Sequence, residues 1–563
     1  MNSTTSKIFA TPTNMAQVIT IIEGDTSLSE TARRDIVSSI RRVATMLDYA
    51  PSDLPAHVAD LRRKLMLIHP AMFGITAKSL ANIKANIGRG LVIAGIVPVG
   101  PKPKERSSAW VEFLGHATAK HQAFALSRFV SYCITHGIEP GDVDDGTMAG
   151  YRQHLDNTLL TNLPEKVCKE TVQTWNCMVK RTDFEFTRLS PATTPSFRAK
   201  SLSKYLPDLQ NDIAAYRERL AHADPFDMEG PAKPLRPTSI RNIEAHIRQY
   251  LDAVTASGHP AESLKELSDI VHPGIVKAGF KVIIERNGGK PPVGLKNIAG
   301  TLLGIARHHV KAPDHQITFL KNIKSRMAVS SGNMEFGMSE KSVIRLEQFD
   351  DWHNVVRLIA LPEELLVRAK DNRDSRRSAL DVMYAAGIAI LLACPMRAGN
   401  LAGLDLERHI TTRRQGLKIR YAIRIEGREV KNDKSIDVDL GPHASEILTA
   451  YLKEFRHAIA DEPGTALFPQ QGGNARDPGN FSREITKRIY RETGLRVHSH
   501  LFRHLAANLY LNRYPGDYET VRRLLGHKKL DTTMKFYARL SNKAAFKVYD
   551  TSVLSHFRGR KDD

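Results

Sequence analysis

Near its C-terminal end the chain gathers, between His498 and Tyr537, residue types that could together break and remake a phosphodiester. His500 and Arg503 form a His-x-x-Arg pair. Leu525-Gly526-His527 follows, then Thr532-Thr533, then Tyr537. An arginine presents a planar fork of donors that matches two non-bridging phosphate oxygens and stays charged at any working pH. Histidine exchanges a proton near neutrality. A tyrosine hydroxyl becomes a useful nucleophile when a base and positive charge stand beside it. Such a set can cut a phosphodiester and hold one product as a phosphotyrosine, with no metal and no cofactor.

The order and spacing of these residues resemble the C-terminal half of a tyrosine recombinase (phage integrase family) catalytic domain. That resemblance implies two further residues upstream, an arginine and a hairpin lysine. An apolar stretch from Ser378 to Cys394 predicts a buried helix, and Pro395 must end it, exposing Arg397 ahead of a new helix. Arg397 is at the family's first arginine position, with Asn400 where many members carry glutamate and either residue able to buttress the arginine. The alternating stretches Leu417 to Ile425 and Ser435 to Leu440 predict two strands of a small antiparallel sheet. Their connection, IEGREVKNDKSIDVDL, holds Lys431-Asn432, which fits the catalytic lysine position best, with Lys434 as the alternative. Phe536 stands where many relatives place the nucleophile and has no hydroxyl, so the adjacent Tyr537 takes that role. Tyr549 is a distant second, and Tyr510, Tyr514 and Tyr518 read as packing residues. The resemblance runs from about Glu340 to Phe557. It implies that Arg397 and Arg503 stabilise charge on the phosphate, that Lys431 is the general acid, that His500 assists proton movement and that His527 binds the phosphate.

The elements that must position these groups belong to a chain of 563 residues, too long for one ordinary core. Its 42% hydrophobic and 25% charged content is that of a globular protein, and the net charge of +20 points to a polyanionic partner, nucleic acid before anionic membrane. Cys133, Cys168, Cys177 and Cys394 form no Cys-x-x-Cys pair, so neither a disulfide framework nor a zinc module is expected. His498 and His504 flank the His-x-x-Arg pair, but their spacing suits no standard metal motif. No secretory signal is read at MNSTTSKIFATPTN, and the longest apolar run, Ala385 to Met396, is too short to span a bilayer. An intracellular, cytoplasmic location is expected.

The predicted fold class is multidomain and mainly α, with a small antiparallel β-sheet in the C-terminal catalytic domain and helical modules upstream. Proline- and glycine-rich segments at 97–104 and 225–237 read as linkers, and a basic link at 311–340 carries Lys321, Lys324 and Arg326. The resulting division is 1–98, a helical DNA-binding-like module; 105–224, which resembles the helical SAM-like core-binding domain of the family; 236–330, a second such module; and 340–563, the catalytic domain with its tail. The polar connection Ser190 to Lys204, with Arg198, Lys200 and Lys204, reads as a solvated loop. Ser39-Ile40-Arg41-Arg42 parallels Ser239-Ile240-Arg241-Asn242, and Ser79 to Ile83 parallels Gly294 to Ile298, which reads as a faint duplication of the first module in the third. The resemblance implies double-stranded DNA as partner, a homo-tetramer holding two duplexes as a homo-dimer per site, and accessory proteins of the same mobile element. Two other readings are a type IB topoisomerase-like enzyme and a non-catalytic DNA-binding relative.

Overall fold

The computed structural model describes residues 12–98, 105–181, 185–190, 201–223, 226, 231, 233–371 except 331–337, 375–416, 418–534, 536, 537, 546 and 549–554. Arg198, Lys200, most of the 97–104 segment, residues 225, 227–230 and 232 of the 225–237 segment and most of the tail after 541 lie outside the described residues. The chain divides into two compact units, Met1–Thr193 with Phe336–Asp563, and Thr194–Glu335. It is mainly helical, with one three-stranded antiparallel sheet in the C-terminal domain. Among the described residues no helix is long and apolar enough to cross a membrane.

The first unit opens with α1 (Met15–Gly24), α2 (Glu30–Leu47), α3 (Val58–Leu65) and α4 (Ala77–Ile93), then α5 (Ser108–Gly115), α6 (Lys120–Thr135), α7 (Asp145–Thr158) and α8 (Pro164–Val179). These make two four-helix modules, each with its own core. The second unit holds α9 (Pro207–Ala221), α10 (Pro237–Ala256), α11 (Leu267–Ile270), α12 (Pro273–Arg286), α13 (Leu295–His308) and α14 (Asp314–Ser330) around one core. Helix α9 contributes Leu209, Ile213 and Tyr216 to that core, so residues 205–221, placed by the sequence reading with 105–224, pack in the second unit instead.

All three modules repeat one structural sentence. A long helix ends in a left-handed residue: Asp48 at φ 57°, Gly137 at φ 69° and Gly258 at φ 99°. A single 3-10 turn follows at the same distance in each, Pro51–Asp53, Pro140–Asp142 and Ala261–Ser263. It is closed by an equivalent backbone bond, Asp53 N–H to Ala50 O, Asp142 N–H to Glu139 O and Ser263 N–H to Pro260 O. The next residue, Leu54, Val143 or Leu264, is buried. Before the turn, Val37, Ile40 and Ala44 correspond to Leu126, Phe129 and Cys133 and to Ile247, Tyr250 and Val254, all buried. On the last helix, Leu80, Ile83, Ile87, Gly90 and Leu91 share their register with Cys168, Thr171, Trp175, Met178 and Val179 and with Leu295, Ile298, Leu302, Ile305 and Ala306. The Ser79/Gly294 parallel of the sequence is therefore in structural register, and Ser39/Ser239 is not: Ile40 corresponds to Tyr250, ten residues beyond Ile240. The repeat also includes the middle module, where aromatic substitution at the buried positions hid it.

Modules one and two are joined through a buried arginine. Arg62 of α3 donates from Nε to Leu159 O at 2.6 Å and pairs with Asp156 at 3.5 Å. Leu160 completes the core of the first module. The first module also rests on the C-terminal domain, where the His69 ring lies 4.7 Å from Tyr490, edge to face. Gly494 permits this approach. Its φ is +78°, and a Cβ there would strike Met72 and His69.

The C-terminal domain comprises α15 (Glu340–Glu347), α16 (Trp352–Lys370), α17 (Arg376–Ala393), α18 (Ala398–Ala402), α19 (Pro442–Ala450), α20 (Pro478–Thr493), α21 (Leu501–Arg513) and α22 (Tyr518–Leu525). Helix α17 is buried from Val382 to Leu391 and forms the centre of the largest core, packed by α16, α19 and α20. Each large aliphatic side chain so buried contributes about 1.5–3 kcal/mol. The sheet runs β1 (Ile410–Gln415), β2 (Lys418–Ile425), β3 (Ile436–Asp439), in that order. Strand β1 was not foreseen: ITTRRQ buries only Ile410, so it carries no apolar alternation.

Candidate active site

The α17 helix ends where Pro395 follows Cys394, because proline disfavours helical geometry in the residue before it. Arg397 is the N-cap of α18, with extended backbone at ψ 151°, which turns its side chain off the helix axis. It is half-buried, and its guanidinium donates from NH1 to Asn432 Oδ1 at 3.1 Å. Asn432, on the β2–β3 connection, in turn donates from Nδ2 to Gly526 O. One amide thereby ties the first arginine to the hairpin and to the turn before His527. Asn400 is not that tie. Its Nδ2 is buried with no hydrogen-bond partner, and the residue lines the site cavity.

Arg503 sits in the first turn of α21 and is only 5% exposed. It donates from NH1 to Pro395 O at 2.7 Å and from NH2 to Leu525 O at 2.5 Å. The second arginine thus stitches together the end of α17 and the end of α22. Burial, and then the charge of Arg397, lower its pKa to about 10. Glycine at 526 takes φ 62° as the left-handed cap of α22, which turns the chain to present His527. Nδ1 of His527 is hydrogen-bonded to Thr533 Oγ1 at 2.9 Å. Burial, Arg503 and Arg397 pull its pKa down to about 4. His500, the N-cap of α21, keeps an edge in solvent, and burial followed by Arg503 and Arg397 lowers its pKa as well.

His500 and His527 both feel the charges of Arg503 and Arg397, Arg503 feels that of Arg397, and Lys434 adds to the charge on His527. Beside them lies a cavity of 220 Å³ lined by Arg397, Asn400, Asn432, Lys434, Arg503 and Gly526, among others. The lining also carries one carboxylate, Asp437, which is paired with Arg424 at 3.2 Å, so the cations Arg397, Lys434, Arg503 and Arg523 outnumber it and the concave cluster favours an anion.

The two lysines differ in setting. Lys431 is exposed, between the 3-10 turn Gly427–Glu429 and β3. Lys434 is half-buried, lines the cavity, and donates to His527 O at 3.2 Å.

Tyr537 is 1% exposed and lies among Ala507, Leu511, Val521 and Leu525. Its hydroxyl is hydrogen-bonded to His504 Nδ1 at 2.9 Å, and burial raises its pKa. His504 is itself buried. Desolvation and then the charges of His500 and Arg503 hold its pKa near 3, so it is a neutral imidazole. Phe536 is less buried and faces two histidines, with its ring 6.3 Å from both His504 and His527. Tyr549 is 52% exposed, in a short π-helical turn Tyr549–Leu554. The structure thus brings together Arg397, His500, Arg503 and His527, seats Tyr537 one ring away behind His504, and leaves Lys431 outside the cavity. His504, Asn432 and Thr533 escaped the sequence reading as working residues. The Lys431-Asn432 and Thr532-Thr533 pairs were the only signals for the last two.

Residues 357–544 match the Phage integrase family model. The chain is 30% identical over 174 residues to tyrosine recombinase XerC of Pseudomonas aeruginosa (strain LESB58), covering 31% of this chain and 50% of the relative. It is also 30% identical over 187 residues to XerC of Azotobacter vinelandii (strain DJ / ATCC BAA-1303), covering 33% and 55%. The chain spans about half the length of these curated relatives. A post-cleavage complex of the XerH site-specific recombinase with a palindromic difH substrate aligns with 80% of this chain and 99% of its own at 15% identity, with a TM-score of 0.38. The segment that carries Arg397, His500, Arg503, His527 and Tyr537 is thus the part of this chain that is similar to the phage integrase family.

Proposed function

We propose that the protein is a site-specific DNA recombinase that cuts and rejoins strands through a 3′-phosphotyrosyl intermediate. The observation that carries this reading is the predominantly cationic cluster of Arg397, Arg503, His500 and His527 beside a cavity, with a tyrosine hydroxyl hydrogen-bonded to the neutral imidazole of His504.

In the forward step the Tyr537 oxygen attacks the scissile phosphorus. Its proton passes to a base, and His504 is already on that hydroxyl while His500 stands next to it, 4.9 Å ring to ring. The P–O bond to the 5′ oxygen breaks, and that oxygen leaves as a hydroxyl after taking a proton from Lys431. Arg397 and Arg503 hold the non-bridging oxygens, His527 adds a third donor, and the unpaired Asn400 Nδ2 is a fourth at the cavity wall. Lys434 holds the turn at His527 in place. One phosphodiester is exchanged for another, so no nucleotide cofactor and no metal is needed to conserve the bond energy. Rejoining reverses the steps with a different 5′ hydroxyl. The reading extends to a homo-tetramer on two duplexes, strand exchange through a Holliday junction and service to a mobile element.

The test is a nicked suicide duplex incubated in EDTA and run on a denaturing gel. A covalent protein–DNA band that Tyr537→Phe abolishes and Tyr549→Phe retains is expected. A band surviving in Tyr537→Phe would move the nucleophile elsewhere, and no band from a wild type that binds duplex would leave a DNA-binding relative. Relaxation of supercoiled plasmid by a monomer, without strand exchange, would mark a topoisomerase.

A further inference from the structure

The second unit carries a groove of 580 Å³ that the cleavage chemistry does not use. It opens between α9, α10, α13 and α14, and its lining includes two glycines one turn apart on α13, Gly300 and Gly304. Only two polar tips face them. A Cβ on Gly300 would meet Lys324 Cε at 3.6 Å and Nζ at 3.8 Å, and a Cβ on Gly304 would meet the Tyr216 hydroxyl at 3.4 Å. These are ordinary contacts, so close packing does not require glycine at either place. The repeat agrees. In the shared register of the last helix the same positions hold Ala85 and Arg89 in the first module, and Gln173 and Cys177 in the second. Two glycines inside a helix weaken it, and here they leave open space in return.

Donors border that space. Tyr216 is only 4% exposed, yet its hydroxyl makes no hydrogen bond among the described residues and reaches the glycine floor. Burial pushes its pKa up to about 12, so it remains a donor at any working pH. A buried hydroxyl without a partner is costly, and an arriving acceptor removes that cost. Lys296 of α13 and Lys324 of α14 line the same groove and make no ion pair among the described residues. His246 lines it too, bonded to Thr301 Oγ1 at 2.9 Å. The described lining holds no carboxylate.

Leu220, Leu235 and Ile243 supply an apolar wall. A concave space of several hundred Å³, part apolar and with a few convergent polar groups, has the form of a small-molecule site. A phosphate backbone is charged along its whole length and gains little from such a wall.

We propose that this groove binds a small amphipathic anion, an apolar body carrying one carboxylate or phosphate head. The head lies on the glycine floor between the Tyr216 hydroxyl and the ammonium groups of Lys296 and Lys324. The body lies against Leu220, Leu235 and Ile243. The site stands whether or not the chain acts on DNA.

The experiment titrates the full-length protein calorimetrically with decanoate and with decyl phosphate, each below its micellar concentration. Decanol lacks the charged head and inorganic phosphate lacks the body, so they are the controls. One saturable equivalent of decanoate or decyl phosphate is expected, with the tighter of the two identifying the head, and both controls at least tenfold weaker. Tyr216→Phe and Lys324→Met should each weaken binding by about tenfold, the scale of one hydrogen bond to a charged group, with the melting temperature of the free protein unchanged. Gly300→Leu fills the floor with a better helix former and should abolish binding. No saturable binding of either amphiphile, full affinity in Tyr216→Phe and Lys324→Met, or decanol binding as tightly as decanoate would overturn the site. Displacement of the bound amphiphile by an equimolar mixed-sequence duplex would give the groove to DNA and overturn it as well. A protein that binds the amphiphile but no duplex would uphold this site and overturn the DNA reading alone.

Discussion

The Tyr537 hydroxyl lies 2.9 Å from His504 Nδ1, and both side chains are buried, so the proposed nucleophile is stored in contact with a neutral base. Replacing His504 with phenylalanine keeps the ring volume and removes the acceptor. We expect covalent-complex formation to slow by about 10²-fold, the usual scale for a lost proton acceptor. Tyr537 should also become more reactive to a phenol-nitrating reagent, as mass spectrometry of the 536–537 peptide would show. Unchanged cleavage in this variant would restrict His504 to packing.

Arg397 and Arg503 are expected to separate in their structural cost. Arg397→Ala removes a half-buried fork held by one amide, so cleavage should drop by about 10²–10³-fold with little change in melting temperature. Arg503→Ala also strands the buried carbonyls of Pro395 and Leu525, which should cost about 3 kcal/mol in denaturant unfolding. Arg503→Lys keeps the charge without the fork and should recover only part of either quantity.

The assignment of the general acid to Lys431 rather than Lys434 predicts a specific rescue. A substrate whose 5′-bridging oxygen is replaced by sulfur has a leaving group that needs no proton. Lys431→Ala should cleave the ordinary duplex about 10²-fold more slowly and the thiolate duplex at nearly wild-type rate. Lys434→Ala should be slow on both, because it loosens the His527 turn. The reverse pattern would transfer the acid role to Lys434.

The histidines make stability pH-dependent with a definite sign. His498 and His527 are held near 4 and His504 near 3, well below the ordinary 6.5, chiefly by burial. Between about pH 6.5 and 4 the unfolded chain binds protons that the folded chain refuses, so stability must fall as pH falls through that window. Above it these groups contribute no slope. Thermal unfolding from pH 8 to 5 should show the fall, and His504→Phe should lessen it. A flat profile would contradict the buried, neutral state of these rings.

Much of this site was readable because its residues cluster along the chain. Arg503, His527 and Tyr537 fall within one helix-turn-helix stretch whose glycine cap and apolar spacing are local signals, and Arg397 follows a helix that proline must end. His504 was not readable as a partner of Tyr537. A histidine one residue after the arginine looks like filler until α21 and the 531–537 segment pack together. The Lys431 and Lys434 settings depend on a turn around Asp433, at φ 56°, that no periodicity predicts. The module repeat was half-legible. Its last helix keeps aliphatic residues in two copies, while in the middle copy Trp175 and Phe129 fill the same positions and erase the sequence likeness without changing the register.

Phe536 and Tyr537 are consecutive helical residues, so their side chains leave the axis about 100° apart. At present the tyrosine occupies the apolar slot and the phenylalanine faces His504 and His527. Two consecutive rings thus divide the work like plug and awning, the tyrosine filling the apolar slot while the phenylalanine shades the two histidines beside it.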